Sequence, residues 1–598
     1  MNNVRISREN ISSFVGEVIA VYLLSDKGLY IEGVEWVLPE QGVTVRRLDG
    51  DAEYGPEAGV ILAFTECGEY TVKAIYCGRE YTSNISVAEM RSFEGARYNY
   101  YRGDLHVHTS MIHVRDPFSK RECDFPYDML RAVKDEGKMD FTVISDHGEV
   151  LCDREFLRGF VDAERIEPID TVIFPGSESE ASLYEYDRFG TQHKHSGEVV
   201  ILNSTSYSAT QDWDEFVRDH EPAPKPLGIF AHPQVVGGGE TGLWNNQYMR
   251  NRGKGLERIM RGVEMGNGEN RTENQIHEYS YPDALDAGFF VSTTCSSDSH
   301  GPVFGMAACT GKTVIIASEK SREAFIDAID KRRFYATESG NVKLSYSVNG
   351  IEAPATLPLT NEYRFKVNVG YFKRDKASEI VECQVVSDYG ERILSISTEG
   401  RDSFEFEVSS DSARYFFLRL VDRKGRKTWS TPVITGRACD ENDEKSYTPI
   451  DEGEYVICDE NGSEQPILKD RNLSTDIVFP GETVTLTATL GAPRTVSAVG
   501  ITHLKIYNHM VRNGGFKTPD LVKSFVSRYR ISVSLDGENY NEVRSGRILV
   551  YGDEVLLGFE PREVKYVRFE CLSTVGKESS VSEYSDAKVR ISELSLFE

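Results

Sequence analysis

The sequence predicts a multidomain protein of mixed class, α/β plus all-β, in which a parallel barrel of seven strands is flanked by β-sandwich modules. The first observation behind this prediction is length, because 598 residues exceed what one hydrophobic core supports and correspond to about four domains at ~150 residues each. The second is the pattern of apolar residues along the chain. Short alternating strands fill both ends of the chain, whereas apolar runs separated by helical patterns fill residues 102–338.

The five predicted parts are separated where this pattern of apolar residues changes along the chain. Residues 1–101 and 339–438 contain closely spaced alternating strands, which indicate β-sandwiches. Residues 102–338 hold the barrel. The acidic, turn-rich stretch 439–453 is interpreted as a linker. Residues 454–598 form a further β-rich module.

Seven apolar, β-branched runs are predicted to be the barrel strands. Fully apolar strands that alternate with helical patterns indicate a parallel sheet covered on both faces. A helix over residues 321–333 is expected to complete the domain. The predicted strands are 104–110, 141–147, 171–178, 198–203, 227–233, 262–268 and 289–300.

Composition excludes several classes of function. A formal net charge of −27 repels phosphate backbones, so we expect no general role in coating nucleic acids. No apolar run reaches the ~20 residues that span a bilayer, so no membrane partner is expected. The start of the sequence lacks the apolar core of a secretory signal, which predicts a cytoplasmic protein unless a leader has been removed. The ten cysteines form no C-x-x-C pair, so we expect reduced thiols.

Histidines are concentrated in the barrel. Ten of the twelve fall between residues 106 and 300, although uniform scatter would place about four there. Imidazole is the commonest nitrogen ligand of divalent transition metals. The clustering therefore predicts a metal site in this domain.

Side chains of ligand type recur at the ends of the predicted strands. His106 and His108 are two residues apart in a strand, so both imidazoles point the same way. The carboxyl ends of the strands of a parallel barrel converge on one mouth. Six of the seven strands supply such residues, which predicts one shared site. Besides His106 and His108, the residues of ligand type at the strand ends are His147, Glu178, His232, Asp298 and His300. His193, His195 and Glu198 lie around the start of the fourth strand.

The runs GDLHVHTS, ISDHGE, PGSESE, FAHPQ and SSDSHG resemble, in order and spacing, the motifs of the polymerase-and-histidinol-phosphatase (PHP) family over residues 102–338. The resemblance implies a distorted seven-stranded (β/α) barrel that binds two or three divalent ions, commonly zinc, manganese or iron. Amidohydrolase barrels also open with His-x-His, but they usually end a middle strand in lysine, which no predicted strand does here. The implied ligands are His106, His108, Glu178 and Asp298 for one ion, Glu178 and His232 for a second, and His147, His300 and His113 for a third.

Two positions depart from the family pattern. The family has a histidine after glycine at strand four, where this sequence reads Gly197-Glu198. Either Glu198 replaces that histidine or His195 reaches in from the preceding loop, and His195 is favoured. His113 and Asp116 compete for the position in the early loop.

The flanking modules suggest a narrower resemblance. A β-sandwich on each side of the barrel is similar to a branch of PHP metallohydrolases that includes carbamate-ester hydrolases. The last module, with ISVSLDGENYNEV and VKYVRFECLS, resembles a discoidin-type, galactose-binding-like sandwich. That resemblance implies either a glycan partner or a packing surface.

The ligand types predict hydrolytic chemistry. Clustered divalent ions lower the pKa of bound water from 15.7 towards ~7. Asp298 can also accept a proton from the attacking water, and His147 and His300 are expected beside it as catalytic groups. Asp104 and Asp146 adjoin ligand histidines and are expected to orient the imidazole rings.

Basic residues near the predicted mouth indicate an anionic substrate. Arg250 and Arg252 lie in a run that continues to Arg261, and Lys194 lies near strand four. We therefore expect hydrolysis of a phosphate monoester or diester. The alternatives are hydrolysis of carboxylic or carbamate esters or of a glycan-linked bond, and an inactive scaffold that binds carbohydrate.

Overall fold

The computed structural model describes most of the chain. No helix in the described residues is long and apolar enough to cross a membrane. The described residues are 4–25, 33–48, 59–108, 139–148, 151, 156–157, 159–160, 171–186, 192–207, 213–233, 255–268, 275–276, 278, 280–300, 311–436, 446–473, 475–503, 523–548, 554–579 and 588–598.

The N-terminal part consists of two four-stranded sheets packed face to face. Alternating apolar residues such as Val21 and Leu62 of one sheet and Val72 and Ile85 of the other share one core. This arrangement agrees with the predicted β-sandwich. The strands are β1 (Val4–Ile6), β2 (Asn10–Phe14), β3 (Val18–Ser25), β4 (Glu35–Val37), β5 (Val43–Leu48), β6 (Gly59–Phe64), β7 (Gly68–Tyr76) and β8 (Arg79–Ala88), in sheet orders β1-β3-β6-β5 and β2-β8-β7-β4.

The central strands pair in a ring. Hydrogen bonding runs in the order β9-β10-β11-β12-β13-β14-β16, with β15 on the edge of β14. An isolated parallel bridge between Val107 and Ser299, just beyond β9 and β16, closes the ring. The strands are β9 (Asn99–Gly103), β10 (Phe141–Ile144), β11 (Val172–Tyr186), β12 (Gln192–Leu202), β13 (Leu227–Phe230), β14 (Met260–Asn267), β15 (Gln275–Ile276) and β16 (Ser292–Ser296).

The ring is mixed, which corrects the prediction of an all-parallel sheet. β9, β10 and β11 run parallel, but β12 is antiparallel to both β11 and β13. β11 and β12 form a hairpin paired from Gly176–Leu202 out to Tyr186–Gln192. Only residues 187–191 separate the two strands, whereas a parallel crossover needs a dozen or more residues.

Short helices accompany the ring among the described residues. The helix expected over 321–333 is observed as α4, where Ser321 Oγ accepts a hydrogen bond from the backbone N–H of Ala324 at 3.2 Å and so caps the first turn. The helices are α1 (Trp213–His220), α2 (Leu256–Ile259), α3 (Ser280–Asp286) and α4 (Arg322–Asp330).

Two strands that the sequence did not predict join the ring to the next module. β17 (Lys312–Ala317) lies antiparallel to β9 and to β18 (Phe334–Thr337). β18 then pairs with a strand over Lys427–Trp429. One continuous sheet therefore crosses the predicted domain boundary at residue 338.

The module after the ring contains a second, four-stranded sheet of order β20-β19-β22-β25. Val367 of that sheet and Leu418 of the continuous sheet belong to the same core. The strands are β19 (Val342–Val348), β20 (Ile351–Glu352), β21 (Ala355–Thr356), β22 (Glu362–Tyr371), β23 (Ile380–Ser387), β24 (Glu391–Ser397), β25 (Ser403–Ser409), β26 (Tyr415–Asp422), β27 (Lys427–Trp429) and β28 (Val433–Ile434), with single 3₁₀ turns at Lys376–Ser378 and Asp388–Gly390.

The C-terminal part is a β-rich module with its own core. The described end of the predicted linker belongs to this module, because Ile450 is buried in the core and donates its backbone N–H to Leu596. The elements are β29 (Tyr455–Asp459), β30 (Ile477–Val478), β31 (Val484–Thr502), β32 (Val526–Ser534), β33 (Asn541–Arg547), β34 (Val555–Thr574), α5 (Val575–Glu578), β35 (Arg590–Ile591) and β36 (Glu593–Phe597), with 3₁₀ turns at Glu452–Glu454 and Pro466–Lys469.

We predict that Gly176→Ala destabilises the ring at the junction of β11 and β12. A Cβ at Gly176 would lie 2.4 Å from the carbonyl oxygen of Ile201, so the hairpin would have to shift. Thermal unfolding should show a loss of about 1–3 kcal/mol. The control is Gly370→Ala in β22, where the nearest atom, Lys343 Cβ, lies at 3.5 Å. Equal melting temperatures for the two variants would contradict the prediction.

Candidate metal centre

The ring brings together side chains that are distant in the sequence. His106 and His108 follow β9, His147 follows β10, and Glu178 lies within β11 where the hairpin leaves the ring. Glu198 lies in β12, the strand that pairs with β11 in the hairpin. His232 follows β13, and Asp298 and His300 follow β16. All of these side chains are buried except those of His147 and His300, which are partly exposed.

Four residues supply the donor atoms of the tightest group. His106 Nε2 lies 3.1 Å from His108 Nε2, 3.1 Å from Glu178 Oε1 and 3.3 Å from Asp298 Oδ1. His108 Nε2 lies 2.9 Å from Asp298 Oδ1 and 3.2 Å from Glu178 Oε2. These are the four residues that the PHP resemblance implies for the first ion.

A second group shares Glu178. His232 Nε2 lies 3.0 Å from Glu178 Oε1 and 3.1 Å from Glu198 Oε2. His147, Glu178 and Glu198 each offer a donor atom within 4.8 Å of the other two. Glu198, which the sequence left as an alternative at strand four, therefore lies at the site. The side chain of the favoured alternative, His195, is outside the described part of the structure.

Three imidazoles form a third group. The His108 ring stacks on those of His300 and His147, with ring centroids 4.0 and 4.5 Å apart. Their nitrogens lie within 4.8 Å of one another. The further early-loop candidates, His113 and Asp116, lie outside the described residues.

Charge compensation dominates the electrostatics of the cluster. Burial lowers the pKa of His106, but Glu178 and Asp298 outweigh burial and hold that pKa well above its ordinary value. Burial likewise disfavours charge on His232, yet Glu178 and Glu198 raise its pKa to about 10. The pKa of Glu178 is held well below its ordinary value, because His106 and His147 outweigh its burial. The carboxylates therefore favour positive charge among their neighbours.

His300 differs from the other imidazoles of the site. Burial lowers its pKa to about 3, and the adjacent His108 acts in the same direction. Its Nδ1 lies 3.0 Å from the backbone carbonyl oxygen of Asp298. This imidazole is therefore neutral at neutral pH, which is the form that ligates a metal.

Glu264 lies in β14, is almost fully buried, and was not among the predicted site residues. Its carboxylate lies 3.4 Å from His106 Nδ1 and accepts the backbone N–H of His232 at 2.7 Å. Asn267 Nδ2 donates to Glu264 at 3.2 Å and to Asp298 at 3.1 Å. A carboxylate behind Nδ1 orients the imidazole so that Nε2 faces the cluster. A glutamate between Val263 and Met265, inside a run predicted to be a buried strand, was the signal for this residue.

Asp104 has a different role from the predicted one. It accepts backbone N–H groups of His106 at 3.3 Å and of Ser297 at 3.1 Å, and so joins the ends of the first and last ring strands. It does not orient an imidazole among the described contacts; Glu264 takes that position at His106. The backbone carbonyl of Asp146 accepts the N–H of Glu178 at 2.9 Å, and its contact with an imidazole stays a prediction.

The basic run before β14 is only partly described. Arg258 pairs with Glu221, and Arg261 lies 3.0 Å from Asp330 Oδ1, at the start of β14. At ~3.3 Å per residue, Arg261 lies about 20 Å along the strand from Asn267, away from the cluster. This position removes Arg261 from the predicted mouth. Arg250, Arg252 and the side chain of Lys194 are outside the described residues.

The donor set fits divalent transition metals. Ligands held at ~2.0–2.2 Å around a four-coordinate ion lie about 3.4 Å from one another, close to the spacings of the first group. Glu178 Oε2 and Asp298 Oδ1 are buried and accept no hydrogen bond of good geometry from any described residue. Mixed imidazole and carboxylate ligands suit zinc, manganese or iron and disfavour calcium, which prefers oxygen.

Proteins similar to this chain are found among solved structures. No family model matches the chain, and no curated protein matches it. About a quarter of the chain is similar to carbohydrate-binding modules of known structure. One is CpGH89CBM32-5 from Clostridium perfringens in complex with GalNAc-β-1,3-galactose, with 16% identity over 26% of this chain and all of that chain, and a TM-score of 0.20.

Two further structures are similar over a comparable share of this chain. The family 32 module of NanJ from C. perfringens, in complex with galactose, is 18% identical over 26% of this chain and all of that chain, with a TM-score of 0.19. A Ruminococcus gnavus GH29 fucosidase in complex with fucose is 12% identical over 25% of this chain and 26% of that chain, also with a TM-score of 0.19. The discoidin-like assignment of the C-terminal module stays a prediction.

We predict that Glu264→Gln weakens metal binding by about 10–100-fold, because an amide no longer provides the charged partner for His106 Nδ1. Isothermal titration of the chelator-treated protein with Zn²⁺ or Mn²⁺ measures this affinity. Glu257→Gln, at an exposed position of α2, is the control. Equal affinities for both variants and the unaltered protein would show that Glu264 does not support the site.

Proposed function

We propose that this protein is a metal-dependent hydrolase of the PHP type that cleaves phosphate esters with a centre of two or three divalent ions. The observation that carries the proposal is the buried group of His106, His108, Glu178 and Asp298, whose donor atoms lie at ligand spacing. On this proposal, the closed ring of seven strands is the distorted (β/α) barrel that the resemblance implies, with β12 reversed.

The side chains have distinct roles in this proposal. Divalent ions at the centre would supply Lewis acidity, lowering the pKa of water and neutralising charge that develops on the substrate. Glu178 offers one oxygen to the group around His106 and His232 and the other to His108 and His147, so it can bridge two ions. Complete donor groups of this kind argue against an inactive scaffold.

Asp298 is the proposed acceptor of the proton from the attacking water. Asn267 holds its Oδ2, so Oδ1 stays directed at His106 and His108. Its backbone has φ +48°, a left-handed conformation that is rare outside glycine and that is held here by the hydrogen bond from its N–H to the His106 carbonyl. His147 Nδ1 lies 3.1 Å from Glu178 Oε2 and His300 Nδ1 lies 3.6 Å from Asp298 Oδ1, and these two imidazoles are the further catalytic groups of the proposal.

The choice of phosphate rests on charge. An anionic substrate matches a centre of bound cations, and the sequence places Arg250 and Arg252 in a basic run inside an acidic chain. Sugar binding by the C-terminal module stays a separate prediction.

A substrate panel tests the proposal. With added Mn²⁺ or Zn²⁺, we expect turnover of an aryl phosphate or a phosphodiester in preference to an aryl acetate, and loss of turnover after chelation. Asp298→Asn should lower kcat by about 10²–10⁴-fold, the range for removal of a proton acceptor. The control is Asp214→Asn, at an exposed position of α1. Turnover of the acetate alone, or full activity of Asp298→Asn, would contradict the proposal.

A second prediction concerns the basic run. Arg250→Ala combined with Arg252→Ala should lower kcat/KM for an aryl phosphate by about 100-fold, because each charge-assisted hydrogen bond contributes ~1.5–3 kcal/mol. Activity on an uncharged ester serves as the internal control. The phosphate-binding role of these arginines is wrong if kcat/KM for the phosphate is unchanged.

A further inference from the structure

A cleft of about 560 Å³ lies between the ring and the module that follows it. Its walls come from four places in the chain. They are the segment leading into β9, strands β17 and β18 with Arg333 before β18, strands β19, β20 and β22 of the opposite sheet, and Ser430 and Thr431 after β27. The volume is within the range of small-molecule sites, ~300–1,000 Å³.

The cleft is separate from the metal centre. Tyr98 and Tyr100 line it at the start of β9, whereas His106 follows the other end of that strand. At ~3.3 Å per residue, about 20 Å of extended chain lies between Tyr100 and His106. A ligand in the cleft therefore does not touch the proposed ions.

Aromatic side chains provide much of the lining. Tyr335 and Tyr346 are buried, and their hydroxyls are already bonded to the backbone, to Val342 and Thr431 respectively. Their rings therefore contribute apolar surface. Tyr98 and Tyr100 are half-buried at the side. Flat, partly apolar ligands can pack against such rings.

Several polar groups of the lining have unused hydrogen-bonding capacity. Within the described structure, the hydroxyls of Tyr100, Ser345 and Ser347 and the carboxylate of Glu352 have no hydrogen bond or ion pair. Asn368 Oδ1 accepts from Ser403 at 2.9 Å, which leaves its two N–H donors available. Ser345 and Ser347 are two apart in β19, so they project from the same face.

The charges of the cleft are nearly balanced. The Arg333 guanidinium forms an ion pair with Asp327 and contacts the Tyr98 hydroxyl. It also stacks on the Tyr98 ring, with Cζ 4.5 Å from the ring centroid. It is therefore neutralised and fixed, and it forms part of the wall. Glu352 remains as an acceptor at the rim. A ligand with several hydroxyls and no net charge matches this lining, because its one cation, Arg333, is paired with Asp327. Lys343 lies next to the lining, with Nζ over the Tyr100 ring at 5.9 Å.

The geometry points to a saccharide-binding site in this cleft, sized for a mono- or disaccharide. Tyr98 and Tyr100 would pack against the faces of the sugar ring. Ser345, Ser347, Asn368 and Glu352 would exchange hydrogen bonds with its hydroxyls. The site does not depend on the proposed hydrolysis, because none of its residues belongs to the metal centre.

Calorimetric titration of the full chain with lactose, cellobiose, maltose and N,N′-diacetylchitobiose tests the site. We expect at least one of these sugars to bind, and Ser345→Ala combined with Asn368→Ala to weaken its Kd by at least tenfold. Glu407→Gln lies in β25, outside the cleft and opposite Arg364 in the sheet, and should leave the Kd unchanged. Glu352→Gln, at an exposed position, provides a second variant if the double variant does not fold.

Two results would overturn the inference. One is that none of the four sugars binds the unaltered protein. The other is that a sugar binds but keeps its Kd in the cleft variants, which would place it on another surface such as the C-terminal module. Neither result bears on hydrolysis, which is measured separately with aryl phosphates.

Discussion

The burial of the Glu178 and Asp298 carboxylates inside the ring requires positive charge beside them. Moving an ionised carboxylate out of water costs several kcal/mol even after the protein relaxes, so it persists only when cations or strong donors surround it. Here imidazoles surround both groups at 2.9–3.3 Å. Protons on these imidazoles or divalent ions between them can meet this requirement. Divalent ions would supply the required positive charge at neutral pH while the imidazoles stay neutral. Burial favours the neutral form of an imidazole.

The fold satisfies this requirement by closing the ring. The bridge between Val107 and Ser299 brings the end of the first strand against the end of the last, so residues almost two hundred positions apart face the same group. Asp104 strengthens that junction by accepting backbone N–H groups from both ends. Glu264 and Asn267 of β14 contact His106 Nδ1 and Asp298 Oδ2, and these contacts hold both side chains in place. Among the described residues, the cluster is therefore held by contacts between the ends of the ring strands.

The sequence identified the residues at strand ends, because a ligand-type side chain directly after an apolar run is a local pattern. His106, Glu178 and Asp298 were found in this way. The direction of β12 was not predictable, since a buried strand is apolar whether its neighbours are parallel or antiparallel. β17 and β18 were not predicted; they pair with each other, and their other partners, β9 and β27, lie far away in the sequence.

Glu264 and Glu198 illustrate the same limit at the site. Each was visible as a carboxylate next to apolar residues, but its importance depends on partners more than thirty residues distant, His106 and His232. A local sequence pattern therefore does not show which of these carboxylates contact the site. Asp104 adjoins His106 in sequence and contacts its backbone, whereas the imidazole is oriented by a residue from another strand.

Anomalous diffraction from a crystal of the Mn²⁺- or Zn²⁺-loaded protein tests the central claim most directly. The account predicts a strong anomalous peak within ~2.0–2.3 Å of His106 Nε2, His108 Nε2 and oxygens of Glu178 and Asp298, with a second peak beside Glu178 and His232. A loaded crystal with no peak among these side chains, or with the four side chains turned away from one another, would contradict it.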